Sequence, residues 1–260
     1  RHADNVGSTY LAADEQGRFW YDYICGLYNV YERIRAKYPD VLIQLCSSGG
    51  GRVDFGALKY HDEFWASDNT NALDRLKIQY SENIFFPAMA TAAHVSTSPN
   101  HQTGMMLPLK FRFDVAMMGR LGMELQPKQL EGDERTFALN AIELYKELRP
   151  VIQLGDLYRI DSPYDEDGYC SDVYVSKDRR EAVVFAFSTT YHNRTQSYDI
   201  KLHGLDPAKN YLLKEVNTPD GGSWYPGNGK VYSGEFLMKA GLSLPIGGAF
   251  TSMVLHLTEQ

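Results

Sequence analysis

One unit recurs through the first part of this sequence and limits the folds open to it: a short apolar run, a polar or glycine-bearing loop, then an amphipathic stretch. Apolar and aromatic residues at helical spacing (Phe19, Tyr23, Leu27, Val30, Tyr31, Ile34) predict a helix over 17–38, closed by Pro39-Asp40. Residues 41–45 then read as a buried strand running into Cys46-Ser47-Ser48-Gly49-Gly50-Gly51-Arg52. A second short strand over 63–66 ends at Ser67-Asp68, and a helix carrying Leu73, Leu76, Ile78 and Tyr80 follows. The spacing predicts a third strand over 87–95 with the polar loop 96–103, and a fourth over 119–125 with a long helix over 128–148. Loops that always follow the strand are the mark of a parallel β/α architecture, and four such units make half of an eight-stranded barrel. A doubly wound sheet gives the same alternation, so periodicity alone leaves both open.

After Tyr158 the period changes to that of strands. Residues 172–176 and 181–187 flank Lys177-Asp178-Arg179-Arg180 as a hairpin, and strands over 198–202, 211–216, 231–237 and 249–257 follow, with Gly, Pro and Asn between them. The expected organisation is a β/α domain over 1–157 and an antiparallel β-sandwich over 158–260.

Composition narrows the partners. Hydrophobic residues at 43% and charged residues at 23% exclude a disordered or fibrous chain. A net charge of -7 offers no basic stripe for a phosphate backbone, so nucleic acid is not expected as a partner. No apolar run approaches the roughly 20 residues of a membrane helix, and no membrane association is expected. Three widely spaced cysteines, Cys25, Cys46 and Cys170, form neither a disulfide framework nor a metal-ligand pattern, which points to a reducing, cytoplasmic setting. Eighteen tyrosines within a 13% aromatic share suit either sugar stacking or an aromatic core.

In parallel β/α folds the reacting groups gather at the carboxyl ends of strands. The 46–52 loop lets backbone approach a ligand closely, or is a tight glycine turn; it lacks phosphate-binding spacings. Asp68 follows Phe64 and Trp65, whose apolar bulk could raise a carboxyl pKa for general-acid work. Asp68 could equally cap the next helix, as could Asn69 or Thr70. His94 and His101 lack a third ligand, so no metal site is expected, and no G-x-S-x-G elbow supports a serine nucleophile.

The 46–52 loop, Phe64-Trp65-Ala66-Ser67-Asp68-Asn69-Thr70, Arg75-Leu76-Lys77-Ile78-Gln79-Tyr80, Ala93-His94-Val95-Ser96 and Pro99-Asn100-His101-Gln102-Thr103 occur in one order and at one spacing. Together they resemble the family 36 glycoside hydrolases, the bacterial α-galactosidases, and Pro108-Leu109-Lys110 and Asp114-Val115-Ala116-Met117 extend the likeness. The resemblance implies that the chain is the C-terminal half of a (β/α)8 TIM barrel followed by the family's smaller antiparallel domain. It implies a retaining hydrolase of terminal α-galactosides such as melibiose and raffinose-type oligosaccharides, without a cofactor, whose parent protein is a homo-oligomer. Asp68 matches the acid/base of the Ser-Asp-Asn-Thr motif. Cys46 and Gly49 would lie against the galactose, and Trp65 would wall the same pocket. Asn71 stands where many relatives carry Asp, a difference expected at the rim of the site. The family's nucleophile lies in a Lys-Trp-Asp motif closed by Asn-Arg, and no Lys-Trp-Asp occurs here. Arg1 could be that closing Arg, with the sequence starting just past the nucleophile. Two other readings stay open: a non-catalytic fragment that at most binds galactosides, and a raffinose-synthase-like galactosyl transferase.

Overall fold

The computed structural model describes residues 6–192 and 197–260, so the expectation placed on Arg1 lies outside the described residues. The chain divides into two compact units, one ending at Asp68 and one starting at Asn69.

The first unit carries α1 (Arg18–Lys37), β1 (Gln44–Leu45), α2 (Phe55–Leu58) and β2 (Glu63–Trp65). β1 and β2 pair in parallel, Gln44 opposite Glu63 and Leu45 opposite Phe64. One arginine sets this register. From α1, the Arg35 guanidinium donates to the carbonyl of Tyr60 at 2.6 Å, to the carbonyl of Val41 at 2.6 Å and to Asp62 at 2.5 Å. The same Asp62 carboxylate accepts from the Ile43 amide at 2.8 Å, so the entries to both strands share one charge-assisted cluster.

The second unit opens with α3 (Ala72–Glu82), β3 (Thr91–Ser96), α4 (Leu109–Met117), β4 (Arg120–Glu124) and α5 (Gly132–Leu154). β3 and β4 are again parallel, from Ala92 opposite Arg120 to Ser96 opposite Glu124. Gly122 is required here, because a Cβ on it would lie 2.4 Å from the His94 ring on the neighbouring strand. The third strand begins later than the expected 87–95, since residues 88–90 form a short 3-10 turn first. Helix α4 escapes a periodicity argument because eight of its nine residues are buried, leaving no polar face to set a pattern. Helix α5 was expected over 128–148 and instead runs on to Leu154. Pro150 lies on its exposed side, while Leu148, Val151 and Ile152 are buried, and their packing holds the last turn past a residue that donates no backbone hydrogen bond.

The rest is antiparallel. β5 (Asp156–Asp161), β6 (Tyr169–Val175), β7 (Glu181–Ser188), β8 (Tyr198–Ile200), β9 (Asn210–Val216), β10 (Val231–Ser233), α6 (Gly234–Lys239), β11 (Leu242–Leu244) and β12 (Thr251–Glu259) follow in order. Six strands form one sheet in the order β10-β9-β12-β7-β6-β5, and β8 and β11 form a two-stranded sheet of their own. The large sheet buries both faces. Val183, Phe185, Phe187 and Val254 pack with residues of α3, α4 and α5, while Ala182, Val184, Ala186 and Leu255 pack with Ile200, Leu237 and Leu244 of β8, α6 and β11. The strand expected over 231–237 stops at Ser233, whose hydroxyl accepts from the Phe236 amide at 3.1 Å and caps α6. Among the described residues no helix is long and apolar enough to cross a membrane.

Candidate active site

Of the expected site residues, Cys46 and Gly49 lie on the loop after β1, Trp65 is the last residue of β2, and Asp68 lies on the loop that follows β2. The turn after β1 is closed by the Ser47 amide donating to the Gly49 carbonyl at 2.8 Å, and it is joined to the end of β2 by the Gly50 amide donating to the Ala66 carbonyl at 2.9 Å. Gly49 is buried at a φ of +75°, and a Cβ there would stand 2.6 Å from the Ser67 Cα. Its glycine character therefore serves the close approach of two backbones, one of them the segment that carries Asp68. Cys46 is an exposed free thiol at the start of this turn, and the Ser47 hydroxyl is buried with no hydrogen-bond partner among the described residues. Arg52 closes the loop by donating to the Tyr23 hydroxyl at 2.6 Å and lying over its ring.

Phe64 and Trp65 are 0% and 7% exposed, whereas Asp68 is exposed. Both aromatics are thus buried in this chain, and Asp68 is exposed two residues past Ala66. Asp68 does not cap α3. Its N-cap is Asn71, whose Oδ1 accepts from the amides of Leu73 at 2.9 Å and Asp74 at 3.3 Å. None of the expected candidates, Asp68, Asn69 or Thr70, fills that place. Asn71 is fully buried, not a rim residue, and its Nδ2 donates to Thr103 Oγ1 at 2.7 Å, a bond an aspartate could not make as donor.

The segment after Asp68 is gripped by the loop after β3. Ser96 Oγ donates to the Thr70 carbonyl at 2.8 Å, Asn100 Nδ2 donates to Thr70 Oγ1 at 3.0 Å, and the Thr70 amide donates to Gln102 Oε1 at 3.1 Å. Two buried arginines brace the underside. Arg112 donates to the carbonyls of Ser96 and Leu107, and Arg75 donates to the Ala92 carbonyl at 2.8 Å. Burial pulls the Arg75 guanidinium down to about 10 and lowers Arg112 as well. Ser96 and Gln102 fall in the loop expected to be polar, whereas the only signal of Arg112 in the sequence is a charged residue inside an apolar stretch. His94 approaches Glu124 at 3.7 Å, and among the described residues no three His, Cys, Asp or Glu side chains gather as a metal site would need.

With this geometry in place, known proteins give the chain its kin. The Melibiase family model matches residues 1–155, and the glycosyl hydrolase family 36 C-terminal domain matches residues 169–257. The chain belongs to glycoside hydrolase family 36. It is 37% identical over 258 residues to α-galactosidase AgaA of Geobacillus stearothermophilus, which covers 99% of this chain and 34% of that protein. It is 35% identical over 257 residues to α-galactosidase Mel36A of Lactobacillus acidophilus, 98% of this chain and 33% of that protein. The crystal structure of a variant AgaA in complex with raffinose superposes with a TM-score of 0.90 at 36% identity, over 100% of this chain and 34% of that one. This family 36 chain therefore spans about a third of the length of its relatives.

Proposed function

We propose that the protein carrying these residues is a retaining α-galactosidase of family 36 in which Asp68 is the acid/base. The carrying observation is the 37% identity to an α-galactosidase over 99% of the chain. Support for Asp68 is local: it is exposed where the loop after β2 turns, and α3 takes its cap from Asn71 instead. In glycosylation Asp68 protonates the glycosidic oxygen while a second carboxylate attacks the anomeric carbon from the other side. In deglycosylation Asp68 takes a proton from the attacking water, and the two inversions give net retention. Such carboxylates stand about 5–5.5 Å apart in retaining enzymes. The family's Lys-Trp-Asp motif does not occur in this sequence, and we propose that these 260 residues alone do not turn over substrate.

The substrates proposed are terminal, non-reducing α-galactosides such as melibiose and raffinose-type oligosaccharides; AgaA has been crystallised with raffinose and with stachyose. Cys46, Gly49 and Trp65 are proposed to face the sugar, of which Cys46 is the one with an exposed side chain. The division into the second half of a (β/α)8 barrel over 1–157 and an antiparallel domain over 158–260 is supported by family matches that end at 155 and resume at 169. A cytoplasmic homo-oligomer completes the reading, with three unpaired thiols in its favour for the compartment. The test is galactose release from raffinose and from an aryl α-galactoside by the whole protein, with the first-formed anomer read by NMR. The α-anomer is expected; the β-anomer, or no release, sinks the reading. Turnover by the isolated chain would overturn the claim that it is inactive.

A further inference from the structure

Thr70, 3% exposed, has each of its polar atoms held: the amide by Gln102, the carbonyl by Ser96 and the hydroxyl by Asn100. Asn100, 4% exposed, works in two directions. Its Oδ1 accepts from the amides of Gln102 at 3.0 Å and Thr103 at 3.1 Å, which shapes the loop after β3, and its Nδ2 ties that loop to Thr70. Thr70 itself makes no cap, since the amides of Leu73 and Asp74 donate to Asn71 Oδ1. Three residues are thus spent on holding one threonine that is not the cap, and that threonine lies two residues after Asp68 in the chain. A reacting group works only when its support is fixed, and a misplacement of about 1 Å can cost about 100-fold in rate.

Resting on the reading of Asp68 as acid/base, we infer that Asn100 is a positioning residue for general-acid catalysis: acting through Thr70, it fixes the chain that follows Asp68 so that the carboxyl meets the glycosidic oxygen. It touches no reacting atom. Its removal leaves sugar binding and nucleophilic attack in place and weakens proton delivery, so the loss falls on substrates whose leaving group needs a proton.

The experiment uses the whole protein and compares kcat/KM, which reports glycosylation, on raffinose and on 2,4-dinitrophenyl α-galactoside. Thr70→Val removes the hydroxyl and keeps the shape; Asn100→Asp keeps the acceptor that shapes the loop and removes the amide donor. Each is expected to lose about 10- to 100-fold on raffinose and less than about 3-fold on the activated galactoside, which needs little protonation. Thr70→Ser, which keeps the hydroxyl, is expected to retain the raffinose activity. An equal loss on both substrates, no loss on either, or a raffinose loss that Thr70→Ser shares overturns the inference. Asp68→Ala measured alongside separates the two claims. If it lacks the leaving-group split, the acid reading itself fails; if it has the split and Thr70→Val and Asn100→Asp do not, only the positioning role fails.

Discussion

Asp172 faces Arg159 across the register of β6 and β5, and it is buried with one carboxylate oxygen that finds no hydrogen-bond partner among the described residues. Burial pushes its carboxyl up to about 7, with Arg159 pulling the other way; Cys170 and Tyr174, on the same strand, both feel its charge. Below about pH 4 the group is protonated in the folded and unfolded chain alike and contributes nothing. Between there and about 7 the unfolded chain ionises first while the folded one keeps its proton, so stability falls as pH rises and levels off above 7. Asp172→Asn should remove that slope: relative to the parent chain it gains stability from pH 4 to 7 and gains no more above, up to about 4 kcal/mol in all. Urea unfolding of both chains across pH 4 to 8.5 checks it, and a difference independent of pH refutes it. At this scale the sequence marks residue types better than roles. Gly49 was readable as a glycine the turn needs, but not that Ser67 is the backbone it makes room for, because the two meet only through the pairing of strands. Asn71 was passed over as cap because three equally good capping residues precede it.

Among the helices, α1 with a polar face was legible and α4 without one was not. Helix α1, with its mixed surface, was expected over 17–38 and is found at Arg18–Lys37, whereas α4 is buried all round and went unassigned. Strand β7 is the opposite case of the same physics. Its run Ala182-Val183-Val184-Phe185-Ala186-Phe187 has no alternation because neither face meets water: odd positions pack toward the helices and even positions toward β8, α6 and β11. Truncation on either side should therefore be severe. Phe185→Ala is expected to cost about 3–5 kcal/mol, and Leu255→Ala, on the opposite face of the paired strand β12, about 2–5 kcal/mol. Chemical denaturation of the two variants measures this, and a sheet with one solvated face would make one of them nearly neutral. The α6 turn escaped because Ser233 reads as a strand residue until Gly234 is seen to lie under Asp206, where a Cβ would meet its carbonyl oxygen at 2.0 Å.

For the chain as a whole, the change of period near Tyr158 was enough to separate parallel from antiparallel structure, and ordered loop motifs were enough to reach family 36. What burial each part achieves could not be read, since that depends on which faces find partners. The difference between the parts is large. The six-stranded sheet has central strands whose residues are at or near 0% exposed from Val183 to Phe187 and at Val254, Leu255 and Leu257. Helix α1 spans 20 residues without a single buried one, and β1 is two residues long. Half-buried side chains and the bonds of Arg35 hold this helix, with no core of its own to add to a propensity that is marginal in water. Amide exchange in the 260-residue chain should therefore differ between elements: slowest in β7 and β12, and faster throughout α1. Hydrogen–deuterium exchange followed by mass spectrometry resolves this at peptide level. Protection of α1 equal to that of β7 would mean that the helix face is covered in solution by another molecule, and a concentration series would then reveal the partner as a second copy of the chain.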